Sequence, residues 1–275
     1  MSETRGARPA GGRWTAPAIV GLKRRGEPIA VLTAYDFPMA RLADEAGAEI
    51  VLVGDSLGTV VLGYESALPV TMEDMLHHVR AVTRAKPSAL VVADMPFMSY
   101  QASVEDAVRN AGRFVQEGGA DAVKLEGGER VAAAVRRIVE IGIPVMGHLG
   151  LTPQSVLAFG GYKVQARAEA EQERLLRDAR LLEECGCFAM VLEGIPAHVG
   201  EAVTREVGVP TIGIGAGPGC DGQVLVSHDL LGLYLGRSPK FVRRYADLAG
   251  TMRDAFTRYV ADVKARRFPG AGESY

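Results

Sequence analysis

Four short hydrophobic runs in this sequence each end in a charged residue: VLVGDS at Asp55, VVAD at Asp94, AVKLE at Lys124 and Glu126, and FAMVLE at Glu193. A charge at the end of a buried strand costs free energy unless it is paired, solvated or bound to metal. A repeated arrangement of this kind therefore predicts one shared polar site. Hard divalent cations prefer carboxylate oxygens, and Mg2+ takes one or two of them while keeping positions open for water and substrate oxygens. Asp55 and Asp94 fit that chemistry, with Glu126 as a third ligand, direct or through water. Each acid alone could merely cap the helix that follows, but three ending separate strands favour the metal.

Lys124 and Glu126 stand two apart on one strand, so their side chains face the same side while Leu125 faces the other. The lysine has three readings: a structural ion pair, a clamp for a substrate carboxylate, or a Schiff-base nucleophile of the aldolase type. Glu193 comes from a different strand, which suits a proton acceptor acting across the site, although it could also cap the segment beginning at Pro196. His148, in PVMGHLG, is either a hydrogen-bonding group at the rim or a buried structural histidine. His77 and His78 lie in a helical pattern and are expected to be solvated or packed. The segment GIGAGPGCDG is similar to the phosphate loops of barrels, but close strand-to-loop packing needs the same glycines.

Strand-like runs alternate with amphipathic helical stretches, the pattern of βα units and a parallel sheet. Strands are expected near 28–35, 49–54, 89–94, 121–126, 143–148, 187–193, 210–214 and 223–227. Eight such runs favour a closed α/β architecture, the (β/α)8 TIM barrel, whose C-terminal mouth would collect all four charged strand ends. Helices are expected over DFPMARLADEAGA, ending at Gly47, over SVEDAVRNAGRFVQEGGA, opening at Ser103, and over ARAEAEQERLLRDARLLEECG. Another should run from Phe241 through FVRRYADLAGTMRDAFTRYVADVKARR, with apolar residues to cover the barrel or a neighbouring subunit. Two connections, SLGTVVLGYESALPVT and GLTPQSVLAFGGYKVQAR, exceed the usual length of βα loops and should hang over the mouth. Residues 1–14 read as a disordered arm, 15–266 as one barrel domain and 267–275 as a flexible tail.

The chain has 275 residues, is 48% hydrophobic and carries a net charge of −2, enough for a full core and without a basic stripe for nucleic acid. No apolar stretch reaches the length of a membrane span and no signal peptide is visible, so a cytoplasmic protein is expected. Cys185, Cys187 and Cys220 are too few for a disulfide framework and read as reduced.

The blocks VGDSLG, VVADMPFMSYQ, AVKLEGG, GHLGLTPQSV, GGYKVQAR, VLEGIP and TIGIGAGPGCDGQVLV occur in that order from about Trp14 to about Gly236. Together they closely resemble the ketopantoate hydroxymethyltransferase family. Departures are small: Ala67 stands where threonine would be expected, and Ala166 where glycine would be. The resemblance implies a barrel of the phosphoenolpyruvate/pyruvate superfamily, assembled as a large homo-oligomer, a decamer being one candidate size. It implies hydroxymethyl transfer from 5,10-methylenetetrahydrofolate to 3-methyl-2-oxobutanoate, a 2-oxo acid, to give 2-dehydropantoate in pantothenate synthesis. Carried over by motif, the Mg2+ ligands are Asp55, Asp94 and Glu126, and the keto-acid contacts are Asp55, Ser56, Asp94 and Lys124. Glu193 is the implied proton acceptor, with His148 as an auxiliary. Rival expectations are a Schiff-base aldolase using Lys124, a phosphoenolpyruvate mutase-like enzyme and a catalytically silent metabolite-binding barrel.

Overall fold

The computed structural model describes residues 12–236 and 238–275. Most of the expected arm lies outside the described residues. Its last two residues are anchored: Arg13 pairs with Asp121 at 2.8 Å, Trp14 N donates to Ser88 O at 2.7 Å, and the indole is buried. A large apolar ring gains more from burial than the arm's polar composition suggested.

Eight parallel strands close into a barrel: β1 (Ile29–Thr33), β2 (Ile50–Val53), β3 (Leu90–Asp94), β4 (Ala122–Glu126), β5 (Val145–Gly150), β6 (Ala189–Glu193), β7 (Thr211–Ile214) and β8 (Gly222–Leu225). Six fall within the expected windows; β5 runs on past His148 to Gly150, and β8 begins one residue early at Gly222. The helices are α1 (Ala16–Arg25), α2 (Phe37–Glu45), α3 (Leu57–Val60), α4 (Met72–Thr83), α5 (Val104–Gln116), α6 (Ala132–Glu140), α7 (Val156–Phe159), α8 (Glu169–Glu184), α9 (Ala197–Glu206), α10 (Ser227–Leu230) and α11 (Leu248–Lys264). Local signals set their starts. Asp36 caps α2, the Thr71/Asp74 pair forms a reciprocal box at α4, and Ser103 Oγ accepts from Asp106 N at 3.1 Å at α5.

Strand periodicity divides the apolar residues between two cores. Val51 and Val53 of β2, Val91 and Ala93 of β3, Val123 and Leu125 of β4, Val145 and Leu149 of β5, and Met190 and Leu192 of β6 pack in the cluster under the helices. The alternate residues therefore fill the barrel: Ile50, Leu52, Leu90, Val92, Met146 and Val191 are all buried there. Carried to the strand ends, the same parity turns Asp94, Lys124, Glu126, His148 and Glu193 inward at the C-terminal mouth. At the opposite end α1 is fastened by Lys23, which donates to Thr204 O at 2.7 Å and to Asp221 Oδ2 at 2.9 Å.

Contacts divide the chain after Leu225. The second unit, Val226–Tyr275, contains α10 and α11. The helix expected from Phe241 begins only at Leu248. The N–H groups of Tyr245, Leu248 and Ala249 are drawn instead to the carbonyls of Leu230, Leu231 and Gly232. Asp247 then caps α11 by accepting from Gly250 N at 3.1 Å. α11 has no buried residue; Met252, Phe256, Tyr259, Val260 and Val263 are exposed on it. In the expected tail, Arg267 pairs with Asp262 at 2.9 Å and Phe268 meets Tyr259 edge to face. Among the described residues no helix is long and apolar enough to cross a membrane.

Candidate active site

Strand register assembles the mouth. Asp94 of β3 is opposite Lys124 of β4, Glu126 is opposite His148 of β5, and Gly150 is opposite Glu193 of β6. Asp55 follows β2 by two residues and joins them from the other side. Gly54 makes this approach possible, because a Cβ there would lie 2.6 Å from Ser56 Oγ and 3.5 Å from Asp94 Oδ2. Gly150, at φ +92°, lets β5 turn away where a Cβ would collide with Glu193 O.

The lysine is the centre of the group. Lys124 Nζ lies 3.4 Å from Asp94 Oδ1, 3.6 Å from Glu126 Oε1 and 3.1 Å from His148 Nδ1, and its side chain is 4% exposed. His148 continues the line: its Nε2 is 3.3 Å from Glu193 Oε2, the more accessible carboxylate of the set. Asp94 Oδ2 accepts from Asp55 N at 3.1 Å. Ser56 Oγ is held at 2.9 Å by the Tyr35 hydroxyl. The structure thus brings Asp55, Ser56, Asp94, Lys124, Glu126, His148 and Glu193 to one mouth.

Burial dominates the electrostatics. It raises the Asp55 carboxyl to about 7, with Glu126 adding repulsion and Lys124 opposing. Asp94 is likewise raised to about 7 by burial, against the pull of Lys124, and Glu126 is raised by burial too. Burial alone would lower the Lys124 ammonium, but Asp94, Glu126, Asp55 and Glu193 outweigh it and hold the lysine above its ordinary value. His148 is lowered to about 4 by burial and then by Lys124, so at neutral pH it is an uncharged imidazole. With an ammonium at Nδ1, the ring's proton belongs on Nε2, toward Glu193.

Three buried polar atoms are left without a hydrogen-bond partner here: Asp94 Oδ1, Glu126 Oε1 and His148 Nε2. Unsatisfied buried atoms clustered at a barrel mouth are the mark of a ligand site. Among the described residues no three His, Cys, Asp or Glu side chains come close enough together to form a direct metal cage. The donor set suits Mg2+ held by one or two carboxylates, with water and substrate completing the shell.

Sequence reasoning missed Gln154 and Tyr100. Gln154, buried on the long connection after β5, donates through Nε2 to Asp55 Oδ2 at 2.9 Å, and its backbone N donates to Glu126 Oε2 at 3.0 Å. The Tyr100 hydroxyl donates to Gln154 Oε1 at 2.6 Å and accepts from Glu126 N at 3.1 Å. Both lie inside motifs already noted, yet nothing in their local spacing marks them as buried. The histidine pair of α4 stays structural: His78 Nδ1 lies 2.6 Å from Tyr35 O. Ala166 adopts φ +53°, which gives the expected glycine at that position a backbone reason. A cavity of about 420 Å³ lies against the ends of β4 and β5, lined by Gly127, Gly150, Thr152, Gln165, Arg174 and Asp178 among others; it borders the carboxylate cluster and includes none of its members.

The closed eight-stranded parallel barrel with its helices is a (β/α)8 TIM barrel. Two solved structures share it: 2,3-dimethylmalate lyase, with TM-score 0.60 and 17% identity over 94% of this chain and 90% of that one, and phosphonopyruvate hydrolase in complex with oxalate and Mg2+, with TM-score 0.63 and 14% identity over 94% and 93%. At such identity the likeness establishes the fold alone. The family follows from the sequence comparisons: residues 13–271 match ketopantoate hydroxymethyltransferase. A 3-methyl-2-oxobutanoate hydroxymethyltransferase of Syntrophus aciditrophicus is 58% identical, covering 96% of this chain and 97% of its relative; one of Moorella thermoacetica is 58% identical over 96% and 98%. The chain belongs to the ketopantoate hydroxymethyltransferase family.

Proposed function

We propose that this chain transfers a hydroxymethyl group from 5,10-methylenetetrahydrofolate to 3-methyl-2-oxobutanoate, giving 2-dehydropantoate, as a Mg2+-dependent cytoplasmic homo-oligomer. The observation that carries the reading is the buried Lys124, set between two carboxylate oxygens that have no hydrogen-bond donor and joined through neutral His148 to Glu193. A small anion with a weakly acidic C–H is the substrate such a site suits. The oxalate and Mg2+ of the phosphonopyruvate hydrolase structure, a dicarboxylate with a divalent cation in the same fold, point the same way. Five exposed apolar residues on α11 support assembly with further copies of the chain.

Asp55 and Asp94 would hold Mg2+, with Glu126 reaching it through water. Bound there, the ion would stabilise the negative charge that develops on the substrate's keto oxygen as C3 loses its proton. Lys124 keeps N–H capacity for the substrate carboxylate, and Ser56, oriented by Tyr35, offers a second donor. Glu193 takes the C3 proton. His148 Nε2, 3.3 Å from Glu193 Oε2, faces one Glu193 oxygen and leaves the other for the substrate. C3 then forms a bond to the folate's methylene carbon, both C–N bonds of that carbon break, water supplies the hydroxyl, and the proton taken from C3 and one proton of the water end on the two folate nitrogens. The cavity beside β4 and β5 gives room at the mouth for part of the folate. A Schiff-base role for Lys124 is disfavoured, because its acidic neighbours hold it protonated while imine formation needs the free amine.

The test is isotopic. Wild-type protein with Mg2+ should exchange the C3 hydrogen of 3-methyl-2-oxobutanoate with deuterated water, chelator should stop it, and Glu193→Gln should slow it by about 10²–10⁴-fold. Exchange at the wild-type rate in Glu193→Gln, followed by proton NMR, would assign the base elsewhere.

A further inference from the structure

We infer that Gln154 is the positioning residue that sets the oxygens of Asp55 and Glu126 for the cation, an inference that rests on the Mg2+ reading of these carboxylates. Its amide is fully committed. Nε2 donates to Asp55 Oδ2 at 2.9 Å and to Met95 O at 2.9 Å, while Oε1 accepts from the Tyr100 hydroxyl at 2.6 Å and from Gln101 Nε2 at 2.9 Å. Two donors and two lone pairs are all that a glutamine side chain possesses. A backbone carbonyl such as Met95 O can only accept, so the nitrogen must face Met95 and Asp55, and the amide has a single orientation.

The backbone of the same residue does the complementary task on the other strand, with Gln154 N donating to Glu126 Oε2 at 3.0 Å. One oxygen of each acid is thereby tied: Asp55 Oδ2 by the Gln154 side chain, Glu126 Oε2 by its main chain, and Asp94 Oδ2 by Asp55 N. The opposite oxygens of Asp94 and Glu126 are the two left without a donor, and both turn toward Lys124. Such a division orients each carboxylate to present one oxygen, which a hard cation with few protein ligands requires. Gln154 reaches this place on the connection after β5, while Asp55 follows β2 and Glu126 ends β4. The connection is therefore pinned to the centre by the residue that orders the centre.

The experiment titrates Mg2+ alone into the metal-free full-length protein by calorimetry, then measures steady-state kinetics. Gln154→Leu keeps the volume and the backbone donor but removes the amide. It should weaken Mg2+ binding by about 10–100-fold, the usual effect of losing an outer partner of a metal ligand. Its kcat should recover to within about threefold of wild type at saturating Mg2+, which a merely misfolded fraction would not do. Tyr100→Phe removes one donor to the amide without changing shape, and should weaken Mg2+ binding by about fivefold; it serves where Gln154→Leu fails to fold. Mg2+ affinities within twofold of wild type in the folded variants overturn the inference while leaving the metal reading intact. No Mg2+ binding by the wild type, with or without the keto acid, overturns both.

Discussion

Replacing Lys124 by methionine keeps most of the side chain's volume while removing the cation that Asp94, Glu126, Asp55 and Glu193 surround. Taking one partner from a buried ion pair costs about 3–5 kcal/mol, because the remaining charge is left uncompensated. The carboxylates have a partial escape: Asp55 and Asp94 are already raised to about 7, so one can take up a proton. Without the ammonium they rise further, and the native variant holds a proton that the unfolded chain, with ordinary carboxylates, releases. Stability then falls as pH rises, and the loss relative to wild type should be about 1.4 kcal/mol larger at pH 8 than at pH 7 for each extra proton retained. In a chain of this size 1 kcal/mol corresponds to roughly 2–4 °C, so the whole effect should lower Tm by about 6–20 °C. The assay is thermal and urea unfolding of both proteins in chelator at pH 6, 7 and 8. A loss below about 1 kcal/mol, or one independent of pH, would refute the account of Lys124 as the counter-charge of the carboxylate cluster.

Asp94→Asn should weaken Mg2+ and keto-acid binding together, because an amide keeps the shape and loses the charge a hard cation requires; unchanged Mg2+ affinity by calorimetry would remove Asp94 from the metal shell. His148, lowered to about 4, binds its proton more weakly folded than unfolded, so its contribution to stability is present above about pH 6.5 and is lost as pH falls toward 4. His148→Gln should flatten that part of the wild-type stability curve, measured by urea midpoints from pH 4 to 7. Ala166→Gly should be nearly neutral, since relief of a left-handed backbone, about 1 kcal/mol, offsets a buried methyl worth about 0.8 kcal/mol. Ala166→Val, β-branched at the same φ, should lower Tm clearly, and equal Tm values for the two variants would contradict the backbone argument.

The barrel was legible because its strands are short and separate, and β2, β3, β4 and β7 are buried throughout, so each reads as a bounded apolar run. The site was legible for a related reason. A charge that ends such a run has nowhere to go but the mouth, and the two-residue spacing of Lys124 and Glu126 fixes both side chains inward. Gln154 and Tyr100 carried no such signal. A neutral polar residue in a connection costs nothing if solvated, and only the closed barrel reveals that Gln154 meets Asp55, 99 positions away. The late start of α11 was hidden because amphipathic periodicity continues upstream of it. What stops the helix is the capture of the Tyr245, Leu248 and Ala249 N–H groups by carbonyls at the end of α10 and beyond, a tertiary competition for backbone donors that a pattern of side chains does not record.

The seam of the barrel lies between its first and last strands, where Ile29 pairs with Gly222 and Val31 with Val224. Every charged member of the mouth belongs to β2 through β6 or to the residues just after them, so on a ribosome the acids and their lysine emerge before the strand that completes the ring. Before that strand pairs, an unclosed sheet would leave this face open to water, which screens charges far better than a barrel interior. The last pairing event removes that water, so the thermodynamic burden of a charged interior falls on the longest-range strand pairing of the barrel, a slow kind of contact to form.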